Sequence, residues 1–308
     1  MNMLVRATML ATAALAAPFP SNAQDAETDG TAADTASHAT DARQTDEAPH
    51  WTIATSTGIS NRDNGPNGSW QAISLTRQIG QLYVRGTVMR YHGTLQQADT
   101  ALPSDYLIGT IAAGGNFEGW VTDAWISYGR QDYGDISTSQ GNRPSTGATG
   151  SPYFAIGGDF GKIIPLGSGW YLTPTVNASY AKGRLLRPAP TGTGLTDLET
   201  EEPTWSASTA VRLDHAFGGN KQNYGGISLS RNWSSNALST VVLPQLSEGF
   251  AEPDSLESRH YADAWFEITA TANMAMTNCT YIDLFASRSF NQISGNTTSA
   301  GITVRVNI

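Results

Sequence analysis

The sequence predicts an all-β protein, a twelve-stranded antiparallel up-and-down transmembrane β-barrel. Three observations carry that prediction. Charged residues make up only 15% of the chain, while Gly, Ser, Thr and Tyr recur throughout, a composition that suits strands and turns. From Trp51 onward, apolar and polar residues alternate with period two in segments bounded by turn residues, the pattern of strands with one apolar face. The connections between those segments alternate between short and long, as in outer-membrane barrels with tight periplasmic turns and freely growing external loops.

Residues 1–23, "MNMLVRATMLATAALAAPFPSNA", place Arg6 before an apolar stretch that ends near Ala17, followed by Pro18, Pro20 and a small-residue ending. This is the pattern of a cleaved secretory signal peptide, and its apolar run is too short for a membrane-spanning helix. Residues 24–50 are rich in Asp and Glu and lack aromatic residues, so they cannot bury enough apolar area to offset their ordering entropy. They are expected to form a disordered acidic leader. The folded domain is expected to cover 51–308.

Within that domain the alternation marks strands at about 51–59, 70–79, 82–92, 106–114, 120–131, 153–164, 170–183, 204–216, 223–233, 261–274, 279–290 and 297–308. Short connections fall at "IGQ", "GNFEG", "PLGSG", "GGNKQN" and "MTN". Long polar ones fall at 61–69, 93–105, 134–152, 186–203 and 234–260. An even strand number leaves both termini on the short-turn side. The segment "STVVLPQLSEGF" in the last long connection is unusually apolar, which suits a constriction at the mouth or an adhesive patch.

Two strands show what each face would meet. Ala262, Ala264, Phe266, Ile268 and Ala270 share one face, and Asp263, Trp265, Glu267, Thr269 and Thr271 the other. At the C-terminus Ile302, Val304, Val306 and Ile308 oppose Thr303, Arg305 and Asn307. In a membrane barrel the apolar set faces lipid and the polar set lines the lumen. Trp51, Trp120 and Trp170 at short-turn ends, with Trp70, Trp205 and Trp233 at long-loop ends, are expected to form two interfacial girdles. The last strand is expected to close the barrel against the first, so that neither keeps an open edge.

The lumen-lining candidates are then Arg85, Asp123, Asp159, Arg212, Asp214, Asp263, Glu267, Asp283 and Arg305. Such charges can serve as a structural ion-pair network, with Arg305 meeting Asp283 next door, or as a selectivity lining whose acidic excess favours cations. A formal net charge of −9 argues against a nucleic-acid partner, which calls for a basic patch or stripe. Cys279 is the single cysteine, so no intramolecular disulfide is available. No His, Cys or carboxylate cluster has metal-ligand spacing, and no cofactor is expected. His92, His215 and His260 lie near the predicted rim without a local nucleophile motif. A rim hydrolase acting on lipid or peptide, and a soluble exported β-sandwich, are the alternatives to a structural or pore-forming barrel that passes small solutes.

The stretch "YFAIGGDFGKIIPLGSGWYLTPTVNASYAKGRL" at 153–185 and the Tyr- and Gly-rich "AWISYGRQDYGD" at 124–135 resemble the translocator β-domain of autotransporters. That resemblance implies a twelve-stranded barrel of the bacterial outer membrane, exported through the inner membrane and inserted by the barrel assembly machinery. Its surroundings would be outer-membrane lipid and lipopolysaccharide. Two features depart from the family: the chain ends in Ile308 where the family usually ends in Phe or Trp, and only residues 24–50 stand where a long passenger is usual.

Overall fold

The computed structural model describes residues 51–63, 67–97, 100–138, 141–189, 195–217, 223–242, 257–277 and 279–308. The expected signal peptide, the acidic leader and most of "GGNKQN" and "STVVLPQLSEGF" lie outside them. Fifteen strands follow in order: β1 (Trp51–Arg62), β2 (Gly68–Ile79), β3 (Leu82–Gln97), β4 (Thr100–Phe117), β5 (Trp120–Tyr133), β6 (Ile136–Thr138), β7 (Gly141–Arg143), β8 (Gly150–Lys162), β9 (Ile164–Gly167), β10 (Trp170–Arg187), β11 (Leu198–Phe217), β12 (Asn223–Val242), β13 (Glu257–Ala275), β14 (Thr280–Phe290) and β15 (Thr297–Asn307).

Twelve of these form a closed antiparallel wall: β1 to β5, β8, and β10 to β15. Each wall strand pairs with its sequence neighbours, and β1 also pairs with β15, from Thr52↔Asn307 to Arg62↔Thr297. Backbone bonds from Trp51 N to Ile308 O (3.1 Å) and Ile308 N to Trp51 O (2.8 Å) finish the seam. Because the wall closes, none of its twelve strands keeps a free edge. β9 continues β8 toward a turn, and β6 and β7 form a small hairpin beyond the wall.

The distribution of side chains is inside-out for a soluble protein. Ile59 and Ile111 are each 64% exposed, and Ile73, Val88, Ile126, Val211 and Leu229 share the outward face with them. On the inward face Asp123, Gln131, Asp159, Asn232 and Arg305 are buried. A water-soluble barrel would turn its apolar set inward, since each exposed apolar Å² costs about 25 cal/mol in water. Lipid removes that penalty. Among the described residues no helix is long and apolar enough to cross a membrane; the crossing is made by strands.

The short connections at 80–81, 118–119 and 168–169 are as tight as the sequence suggests. Glu118–Gly119 and Ser168–Gly169 place both central residues at positive φ, the type I′ geometry whose twist matches the flanking strands. The long side differs from expectation. The connection expected at 93–105 is mostly strand, with β3 running to Gln97 and β4 starting at Thr100. The β10–β11 and β12–β13 hairpins likewise extend past the predicted ends. Above the bilayer both faces of a hairpin meet water, so the apolar alternation fades although the ladder continues. Pro103 and Pro203, which read as strand breakers, sit inside β4 and β11.

One tryptophan leaves the expected girdle. Trp120, Trp170, Trp205 and Trp233 are exposed on the outer face, and Arg77 lies over the Trp51 ring. Trp70 instead points inward and stacks on Phe285, with ring centroids 6.3 Å apart. Cross-strand pairing explains this, because Trp70 pairs Gly58, Gly58 pairs Gly301, and Gly301 pairs Phe285. Two glycines leave a flat inner floor over which the rings meet.

Candidate functional site: the barrel lumen

Three clusters of one composition line the short-turn half of the lumen, each built from an arginine, an aspartate and a tyrosine. On β3, Arg85 Nη2 lies 3.2 Å from Asp123 Oδ2 of β5, and the Tyr83 hydroxyl donates to the same oxygen. Arg85 also lies over the Tyr83 ring. These residues reach across β4 because Gly114 stands between Tyr83 and Asp123; a Cβ there would fall 2.8 Å from the Tyr83 hydroxyl oxygen.

The second cluster joins β11, β12 and β13. Arg212 lies 2.8 Å from Asp214, donates to Thr271 Oγ1 at 2.9 Å and lies over the Tyr224 ring. Gly226 makes the room here, since a Cβ on it would overlap the Asp214 carboxylate. In the third cluster Arg305 donates from Nε and Nη2 to Asp283 at 2.6 and 3.2 Å, over the Tyr281 ring. Asn273 of β13 adds a bond to Asp283 at 2.5 Å.

Six of the nine sequence-predicted lumen residues thus fall into these clusters. Asp159 is buried on β8. Glu267 accepts from Thr269 Oγ1 at 3.2 Å. Asp263, toward the long-loop end, accepts from the backbone N–H of Ala264 (2.8 Å) and of Ile293 (2.7 Å). Among the described residues neither Glu267 nor Asp263 has a basic side chain at ion-pair distance. The opposite wall is aromatic in its outer half, where Met89, Tyr106, Ile108, Tyr153 and Ala155 pack with Trp70, Tyr91 and Trp125.

A further charged cluster lies where the sequence suggested a loop. Arg187 and Glu202 are each 2% exposed and 2.9 Å apart. Thr200, Ser239 and Asn236 donate to the Glu202 carboxylate at 2.6, 3.1 and 2.9 Å. Four donors around one carboxylate offset the desolvation of a buried ion. The signal for it was the run of extended hairpin in β10 to β12, hidden by Pro188 and Pro203.

His260 Nε2 lies 3.1 Å from Glu202 Oε2 and 2.8 Å from Ser258 Oγ. A serine, a histidine and a carboxylate therefore meet at the rim. In a hydrolytic relay the serine and the acid face opposite ring nitrogens. Here both face Nε2, and the carboxylate is also engaged by Arg187, so the three side chains tie the hairpin together.

A closed twelve-stranded wall, an apolar outer belt and a charged lumen are the features of an outer-membrane β-barrel. The sequence model of the autotransporter β-domain matches residues 83–286, more than half of the chain. This chain belongs to the autotransporter β-domain family. Its fold is similar to the translocator domain of autotransporter NalP from Neisseria meningitidis, at a TM-score of 0.63 and 14% identity over 85% of this chain and 90% of that one. It is also similar to the β domain of the Bordetella autotransporter BrkA (0.58, 14%, 85% and 100%). The transport unit of AIDA-I from Escherichia coli gives 0.51 and 9%, over 87% and 93%. No curated protein matches the chain in sequence. As an autotransporter β-domain the protein is a barrel of the outer membrane, embedded in its lipid.

On the long-loop side this β-domain carries a knot. Arg143, at the end of β7, donates from Nη1 and Nη2 to Asp197, both at 2.7 Å. The backbone N–H groups of Thr146 and Ala189 add bonds at 2.8 and 2.7 Å. Beside it Leu102, Ile136 and Leu186 form a small core. Burial alone would raise the Asp197 pKa, but Arg143 and the backbone donors outweigh it and hold the carboxyl well below the usual carboxylate range. A depressed folded pKa means the stabilisation is complete above the unfolded value, about 3.9, and is lost as pH falls toward the folded one. The segment 141–149 should therefore resist added protease at pH 7 and 5. In the Asp197→Ala variant it should be cut at both pH values, with the wall intact.

Proposed function

We propose that the barrel is a hydrophilic outer-membrane pore that passes small solutes and favours cations over anions. The observation that carries this reading is the charge balance of the lumen. Arg85, Arg212 and Arg305 each lie against one aspartate, whereas Glu267 and Asp263 have no basic neighbour among the described residues. Those three arginines are thereby neutralised, and although Arg62 of β1 is a fourth inward cation, the carboxylates of Asp159, Asp263 and Glu267 outnumber it, so a negative field remains, which raises the local concentration of cations. The similar structures are described as a translocator domain and a transport unit, and passage through the lumen is the property this proposal carries over. The barrel assembly machinery would insert it.

The test is conductance of the refolded protein in planar bilayers, with and without residues 24–50. Discrete steps and a reversal potential on the cation side are expected, and Glu267→Gln should move that potential toward zero. Absence of steps in both forms would overturn the pore reading and leave a structural barrel. No catalytic step belongs to this reading, so a serine-directed fluorophosphonate should leave Ser258 unlabelled; labelling there would revive a rim hydrolase.

A further inference from the structure

The outward face of the barrel carries one quadrant of cations at the upper edge of the apolar belt. Arg90 of β3 and Arg130 of β5 lie in a single cross-strand row, joined through Leu107 of β4. Two strand spacings separate them, about 10 Å. Lys182 of β10 lies in the row just below, with Tyr128 and Phe154, and Arg184 stands two residues further along. The side chains are exposed, Arg90 by 69% and Arg130 by 64%. Tyr128 and Trp205, 68% and 65% exposed, mark the aromatic girdle immediately beneath.

Aromatic girdles sit at headgroup level. With the long loops outside, as in outer-membrane barrels generally, this row meets the headgroups of the outer leaflet. Each cation has a carboxylate neighbour: Asp105 for Arg90, Asp132 for Arg130, Glu201 for Lys182, and Glu199 with Glu201 for Arg184. Exposed pairs of this kind contribute about 0–1 kcal/mol, so a doubly charged phosphate competes well for the arginines. Arg binds phosphate through paired N–H donors, and the apolar side chains below accept acyl chains.

We propose that this quadrant of β3, β4, β5, β8 and β10 is a docking surface for the phosphorylated disaccharide headgroup of lipid A in the outer leaflet. The carboxylates compete with the phosphates and set the affinity. The surface lies outside the lumen, so it acts independently of conductance.

The test uses the refolded full barrel in detergent and magnesium-free buffer, with bisphosphorylated lipid A and its dephosphorylated form as probes. Lipid retained per barrel is read by native mass spectrometry. The wild-type protein should hold the bisphosphorylated lipid about tenfold more tightly. Substituting R90Q, R130Q, K182Q and R184Q together should abolish that preference, whereas D105N, D132N and E201Q together should increase it. A merely structural role for these pairs would weaken binding in both variants. Equal retention of the two lipids by the wild type, or an unchanged preference in the first variant, would overturn the proposal. Should the quadruple variant fail to show the heat-dependent gel shift of a folded barrel, R130Q alone should still lower the preference, and no change there would count against the proposal. Conductance is expected to be unaltered in both variants, which separates this result from the fate of the pore reading.

Discussion

Replacing Arg187 by alanine is expected to destabilise the folded barrel by about 3–5 kcal/mol, the range for removing one partner of a buried ion pair. The loss comes mostly from Glu202, which stays 2% exposed with its charge no longer balanced. Thr200, Ser239 and Asn236 would still donate to it, so the effect should fall toward the lower end. Glu202→Gln should cost less than Arg187→Ala, because the amide oxygen keeps an acceptor for Arg187 and the guanidinium left unbalanced is a weakly hydrated cation. The combined Arg187→Met and Glu202→Leu variant should be more stable than Arg187→Ala, because no buried charge is left unpaired, yet less stable than wild type, because the buried Thr200, Ser239 and Asn236 lose their acceptor. Denaturant midpoints of the refolded protein in detergent would give the order. A combined variant as unstable as Arg187→Ala would show that the hairpin depends on the ions themselves.

That cluster also marks the limit of what the sequence discloses. The wall was legible because lipid imposes one rule on every strand inside the bilayer, apolar outward and polar inward, and that rule writes period two into the chain. Ile302, Val304 and Arg305 on β15, or Phe266 and Glu267 on β13, have no other arrangement available. Arg305 and Asp283 could be matched from sequence because they lie on adjacent strands. Arg85 and Asp123 could not, because their contact crosses β4 and depends on the missing side chain of Gly114. Above the bilayer both faces of β10, β11 and β12 contact water or protein, the period disappears, and Pro103 and Pro203 look like loop residues. The misplacement of Trp70 has a different cause. The girdle expectation rested on its place at a strand end, whereas period two sets it with Ala72, Ser74 and Thr76, opposite the outward Ile73, Leu75 and Ile79, and therefore inward.

The glycine row leads to the second large effect. A Cβ at Gly301 would fall 2.5 Å from Phe285 Cε1 and 2.9 Å from the Thr57 carbonyl oxygen. At Gly58 it would fall 2.6 Å from the Trp70 indole and 2.7 Å from the Ala300 oxygen. Neither contact is tolerable, and both involve backbone as well as a ring, so the strain cannot be relieved by a rotamer change alone. Both glycines lie on the β1–β15 seam, the pairing of largest sequence separation in the wall and the one that closes it. Gly58→Ala and Gly301→Ala should each cost about 1–3 kcal/mol, the range for overpacking. The pair together should lower the yield of closed barrel, seen as loss of the heat-dependent gel shift. Phe285→Ala in the Gly301→Ala background removes the ring contact but leaves the Thr57 carbonyl in place, so it should restore only part of the loss. Full restoration would assign the whole constraint to the Trp70–Phe285 stack. No restoration would assign it to the backbone of the seam, and the aromatic pair would then be a passenger on a closure set by β1 and β15 alone.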